Sequence, residues 1–85
     1  MTYTYQAFAN GYSSPANDEV CHARSREQLR AALSSWAEET TQYYDLDFAE
    51  PTLAVWKGYE EDITDLCPDF LLTPGPRGGM HQQNV

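Results

Sequence analysis

The sequence predicts an α+β domain in which one amphipathic helix packs across one face of a three- or four-stranded sheet. Three observations predict it: a period-two run at residues 2–9, a helical apolar stripe at residues 29–40, and two short apolar runs in the second half. The 85 residues are enough for one small domain. We place that domain at residues 1–79, in the order β-β-α-β-β, and expect a flexible polar tail at 80–85.

The first strand is predicted at residues 2–9, where alternate positions form two faces, with Tyr3, Tyr5 and Ala7 against Thr4, Gln6 and Phe8. Residues 11–18 are rich in Gly, Pro, Ser, Asn and Asp, which favour a turn. Residues 19–23 form a short second extended segment. We therefore expect the chain to begin with a hairpin.

A helix is predicted to begin at Arg26 and to end near Tyr43 and Tyr44. Ser25, followed three residues later by Gln28, matches the capping-box pattern that satisfies unpaired backbone donors at a helix start. Side chains then recur with the period of a helix and form one stripe, which consists of Leu29, Ala32, Leu33, Trp36, Ala37 and Thr40. We expect this stripe to face the sheet.

Two compact apolar runs, residues 53–58 and 69–73, predict two interior strands, with an acidic loop between them. A single helix covers one face of a sheet, and the sequence contains more large apolar side chains than one face hides. An apolar sheet face left open on a folded domain is typical of an interface. We therefore expect exposed aromatic side chains that contact a partner, namely Tyr3, Tyr5 and Trp56.

The charge distribution is strongly asymmetric. The chain has 13 acidic residues against five Lys and Arg, a formal charge of −8, which excludes a general basic surface for nucleic acid or an anionic membrane. Ten of the acids lie in residues 38–69, where Lys57 is the one base. This acidity either confers solubility alone or forms a surface for a basic partner. If the surface mimics nucleic acid, four carboxylates occupy the positions of phosphates in the nucleic-acid-binding groove of the partner protein. They belong to Glu60, Glu61, Asp62 and Asp65.

The sequence contains no specific metal or nucleophile signature. Cys21, His22, Cys67 and His81 supply zinc-binding atoms without the short ligand spacing of structural zinc sites, so we expect no metal. A Cys21–Cys67 disulfide requires that the second and fourth strands are neighbours. A cytoplasmic setting keeps thiols reduced, so we expect free cysteines. Adjacent residues on an extended run point to opposite faces, which excludes a catalytic pair made of Cys21 and His22.

A glycine-rich segment, residues 74–79, has the composition of an anion-binding turn with Arg77 at its centre. It lacks the lysine and the following helix of a phosphate loop, so we favour a simple turn. Binding of a small anion or nucleotide by Arg77 is kept as an alternative. The acidic loop likewise lacks the spacing and central glycine of a calcium loop. We expect no cofactor and no enzymatic activity.

No apolar run approaches the ~20 residues that a membrane span needs, and the first residues resemble no signal peptide. We therefore expect a cytoplasmic protein without a membrane partner.

Several short motifs together resemble a group of small acidic proteins encoded by bacteriophages of actinobacteria. They are Trp36, Tyr43-Tyr44, Ala54-Val55-Trp56-Lys57-Gly58, Cys67-Pro68-Asp69-Phe70 and Gly75-Pro76-Arg77-Gly78-Gly79. The resemblance implies a phage accessory protein that acts in the cytoplasm of an infected bacterium, and it assigns no role to individual residues. The leading hypothesis is a non-enzymatic protein that binds a host protein and inhibits or redirects it. The alternative is a homodimeric structural or scaffolding module.

Overall fold

The computed structural model describes residues 1–9, 19–43, 51–75 and 79–84, with the backbone alone for 41–43. Its elements in chain order are β1 (Tyr3–Phe8), β2 (Cys21–Ala23), α1 (Arg26–Tyr43), β3 (Thr52–Lys57), β4 (Phe70–Pro74) and β5 (Met80–Asn84). The strands form one antiparallel sheet in the order β2-β1-β3-β4-β5. Because α1 packs on one face of this sheet, the predicted α+β class is confirmed.

The helix begins where its capping residues predict. Ser25 Oγ accepts a hydrogen bond from the backbone N–H of Gln28 at 3.2 Å, and Gln28 Oε1 accepts one from the N–H of Arg24 at 2.6 Å. These bonds satisfy donors that have no partner inside the helix. The side chains of α1 that the sheet buries are Leu29, Leu33, Trp36 and Thr40.

The larger core lies between α1 and the sheet. Leu53 and Val55 of β3 contribute to it together with Phe70 and Leu72 of β4. Tyr3 of β1 packs edge-to-face on Phe70, with ring centroids 6.3 Å apart and ring planes at 80°. Tyr3 is therefore a core residue.

The opposite sheet face carries a second, smaller core. Phe8, Ala54 and Trp56 form it, and Ile63 from the segment between β3 and β4 packs against it. That segment covers the face that the sequence analysis expected to be open. The expectation of exposed aromatics is therefore wrong for Tyr3 and Trp56, which are 9 % and 3 % exposed.

The strand count also differs from the prediction. Residues 80–84, expected to belong to a flexible tail beyond a domain boundary at residue 79, form β5 and pair with β4 from Pro74↔Met80 to Phe70↔Asn84. The pairing extends to Gly75, whose N–H donates to Gly79 O at 2.8 Å. β5 pairs with β4 through backbone hydrogen bonds, which do not depend on apolar side chains. Because most of its side chains are polar, its sequence shows no alternation of apolar and polar residues. The described sheet has five strands rather than three or four.

Candidate functional site

The segment that covers the second sheet face, residues 59–69, is named here the acidic loop. It contains five acidic residues and no Lys or Arg, namely Glu60, Glu61, Asp62, Asp65 and Asp69. Glu61, Asp62 and Asp65 are exposed, and Glu60 is half-buried. The four predicted partner-binding acids therefore lie on one segment at the molecular surface.

The start of the acidic loop is fixed to β1. Gly58 has a φ of +96°, a left-handed conformation that favours glycine, and its N–H donates to Thr2 O at 2.8 Å. The hydroxyl of Thr4, which is 0 % exposed, donates to Gly58 O at 2.9 Å and accepts from the N–H of Glu60 at 2.9 Å. One buried hydroxyl thus sets the backbone position of the first acid.

The edge strand β2 holds the same end of the loop. The rings of His22 and Tyr59 are stacked, with centroids 4.1 Å apart and planes at 15°. His22 Nε2 lies 2.9 Å from the carbonyl oxygen of Glu60. Because a carbonyl oxygen only accepts hydrogen bonds, Nε2 carries the proton in this contact. Tyr59 is nevertheless 61 % exposed, so an ordered aromatic ring stands beside the acids.

The middle and end of the loop are attached to β3. The indole N–H of Trp56 donates to Leu66 O at 3.2 Å, and the Leu66 N–H donates to Ile63 O at 3.1 Å. The Asp69 N–H donates to a β3 carbonyl at 2.8 Å, and Asp69 Oδ2 accepts from the backbone N–H of Lys57 at 2.7 Å. The loop is therefore a fixed layer of the fold at both ends and in the middle.

Asp62 is held ionised by its neighbour Thr64. Its Oδ1 accepts from the Thr64 hydroxyl at 2.5 Å and from the Thr64 N–H at 2.9 Å. These two hydrogen bonds, the hydroxyl bond first, lower the pKa of Asp62 below its ordinary value because they favour the charged form.

Replacing Thr64 by valine is expected to raise the pKa of Asp62 toward the ordinary ~3.9, because the hydroxyl bond is lost and only the N–H bond remains. Carbon-detected NMR titration of the Asp62 carboxyl measures this change, and Thr64→Ser, which keeps the hydroxyl, is the matched control. Since folding lowers this pKa, Asp62 stabilises the fold at pH values above ~3.9, and the contribution is lost as the pH falls through the folded value. An unchanged pKa in Thr64→Val would contradict the assigned bond.

Two exposed apolar residues of the loop were missed by the sequence analysis. Tyr59 and Leu66 are 61 % and 40 % exposed, and both lie among the acids. Of the aromatics expected there, Tyr5 is half-buried and packs against the helix-side core, opposite Cys21 in the β1–β2 pairing. The sequence signal for Tyr59 was its position directly after Gly58, where the alternation of the strand has ended.

The other sequence candidates do not come together. His22 and His81 lie on opposite edge strands of the sheet. β2, which contains Cys21, and β4 are separated by β1 and β3, so they are not the neighbouring strands that the disulfide required. Both cysteines are free, and burial raises the pKa of the Cys21 thiol. Cys21 contacts Tyr5 on the helix side, whereas His22 contacts the acidic loop on the other side. Arg77 lies outside the described residues.

Within residues 1–9, 19–43, 51–75 and 79–84, no three His, Cys, Asp or Glu side chains are placed to hold a metal ion. Over the same ranges, no helix has the length and apolar character required to cross a membrane. Comparison with protein-family models, curated proteins and solved structures gave no match.

Proposed function

We propose that the protein is a non-enzymatic binding protein whose acidic loop docks on a cationic surface of a partner protein. The observation that carries this proposal is the acidic loop itself, which has five carboxylates, no Lys or Arg, and a backbone hydrogen-bonded to β1, β2 and β3. A fixed array of like charges costs little ordering entropy on binding, and it steers a cationic partner from a distance.

The exposed apolar side chains of the loop support a protein partner over a simple counter-ion. Tyr59 is already ordered by its stack on His22, and Leu66 is fixed through its backbone bonds to Trp56 and Ile63. Tyrosine is enriched among residues that contribute most to protein interfaces. An ordered aromatic ring flanked by carboxylates fits a pocket whose rim carries Lys or Arg.

The resemblance to actinobacteriophage proteins makes a host protein in the bacterial cytoplasm the expected partner, which the phage protein would inhibit or redirect. A host protein that handles nucleic acid presents such a cationic groove, where the loop carboxylates would replace phosphates. In that form of the proposal, double-stranded DNA competes with the protein for its partner.

A pull-down from actinobacterial lysate with three baits tests the proposal. The first bait is the natural chain. The second replaces four loop acids by amides, in the changes Glu60→Gln, Glu61→Gln, Asp62→Asn and Asp65→Asn. The third is a control that neutralises four acids outside the loop, in the changes Glu19→Gln, Glu27→Gln, Glu38→Gln and Glu39→Gln. Both variants lose four of the 13 acids, so their net charges are equal.

The expected result is a host protein that the natural chain and the control retain, that moderate salt releases, and that the loop variant loses. Added DNA that displaces this protein identifies a nucleic-acid-handling partner. Equal retention by all three baits, or recovery of no host protein, would contradict the proposal.

A further inference from the structure

The outer edge of β5 has a regular set of outward backbone groups. The bond from Gly75 N–H to Gly79 O marks these residues as a hydrogen-bonded pair, and such pairs alternate with non-bonded pairs along an antiparallel ladder. Pro74, which has no N–H, accordingly lies opposite Met80 in a non-bonded pair. His81 and Gln83 therefore bond to β4. The residues that direct their N–H and C=O outward are Met80, Gln82 and Asn84.

No other strand pairs with this outer edge among the residues that the structure describes. Natural proteins protect open edges with short strands, prolines or charged side chains, Lys above all. The opposite edge strand, β2, is protected in this way, because it is only three residues long. β5 has five residues, Met-His-Gln-Gln-Asn, with no proline, Lys, Arg, Asp or Glu. Its edge is therefore chemically open to another strand.

We propose that β5 pairs with β5 of a second copy of this chain, antiparallel, with the two-fold axis at Gln82. The outward groups lie symmetrically about Gln82, so Gln82 faces Gln82 of the second copy and Met80 faces Asn84 of the second copy. Each of these pairs exchanges both backbone hydrogen bonds. An isologous contact of this kind closes on itself and gives a dimer.

The side chains beside the edge are compatible with this symmetry. Arg26 Nη2 donates to Gln82 Oε1 at 2.8 Å, and Gln82 Nε2 donates to Asn84 Oδ1 at 3.0 Å, which orders the helix side of the strand. Arg26 also lies over the Phe70 ring, 5.7 Å from its centroid. Glu27 lines the adjacent cleft of about 280 Å³ together with Arg26. This margin carries both signs of charge, because Arg30 lines the same cleft, so the two copies do not meet through surfaces of a single sign.

The dimer has a consequence for the acidic loop, although the pairing itself does not depend on the proposed function. A two-fold axis between antiparallel neighbouring strands is perpendicular to the sheet. Both copies of α1 then lie on one side of a continuous sheet, and both acidic loops lie on the other. The pair of loops would bind a partner with two cationic sites more tightly than one loop does.

Sedimentation equilibrium from micromolar to millimolar concentration tests the pairing with two variants. Gln82→Pro removes one outward N–H without breaking the ladder to β4, so we expect the dimer to weaken by about tenfold or more. Gln82→Ala keeps the N–H and loses the side-chain bond to Arg26, so it should dimerise nearly as the natural chain does. Circular dichroism confirms that each variant folds.

Amide hydrogen exchange of the natural chain provides a readout that needs no variant. The amides of Gln82 and Asn84 should exchange more slowly as concentration rises, while those of His81 and Gln83 stay unchanged because β4 already binds them. A monomer at every concentration overturns the proposal. A dimer that persists in folded Gln82→Pro, or that leaves the Gln82 and Asn84 amides unchanged, overturns it as well.

Discussion

Replacing Trp56 by alanine is expected to lower the free energy of unfolding by about 3–5 kcal/mol, the largest effect of any substitution outside the helix-side core. Trp56 is 3 % exposed and lies in the second core with Phe8 and Ala54, and Ile63 of the acidic loop packs against that core. Its removal leaves a cavity between the sheet and the loop. The indole bond to Leu66 O is lost at the same time.

Urea unfolding followed by circular dichroism measures this change. Trp56→Phe is the matched control, because it keeps an aromatic ring and loses the N–H, with an expected loss of about 1–2 kcal/mol. A loss below about 1 kcal/mol in Trp56→Ala would mean that the loop does not cover this face. The second tryptophan, Trp36, keeps its ring N–H bond to Phe8 O in both variants and reports on the helix side by fluorescence.

Replacing Thr4 by valine is expected to cost about 1–3 kcal/mol and to release the start of the acidic loop. Valine has nearly the same shape but no hydroxyl, so Gly58 O loses its donor and the N–H of Glu60 loses its acceptor. Thermal unfolding measures the cost. Because the N–H of Glu60 then has no acceptor and His22 alone holds this residue through its carbonyl oxygen, binding of a cationic partner should weaken together with the stability.

Thr4→Ser is the control for this effect, since it keeps the hydroxyl and loses one methyl group, worth about 0.8 kcal/mol. If Thr4→Val and Thr4→Ser are equally stable and bind alike, the hydroxyl has no part in fixing the loop. If Thr4→Val binds the partner more weakly than Thr4→Ser does, the anchoring of the acidic loop by the Thr4 hydroxyl contributes to the proposed binding.

The helix and four of the strands could be predicted because their signals are local. The start of α1 at Arg26 follows from Ser25 and Gln28, and the strand alternation places Tyr3 and Thr4 on opposite faces. The fifth strand has no comparable signal, because most of its side chains are polar and its pairing with β4 is made through the backbone.

The role of the acidic loop could not be predicted for a different reason. Its anchors connect residues far apart in sequence, such as Thr4 to Glu60 and His22 to Glu60, 56 and 38 positions apart. Composition identified four acids, Glu60, Glu61, Asp62 and Asp65, as one charged surface, but it could not show that the intervening Ile63 closes the second sheet face. The same contact explains why Trp56 is buried.

Amide hydrogen exchange of the acidic loop measures whether the loop is a fixed layer that presents its carboxylates. The amides of Glu60 and Asp69 donate to Thr4 Oγ1 and to a β3 carbonyl, so they should be protected like those of the sheet. The amide of Glu61 serves as the internal reference in an exposed part of the same loop. If the amides of Glu60 and Asp69 exchange at the rate of an unstructured chain, the acidic loop is not a fixed layer and cannot present its carboxylates as an ordered array.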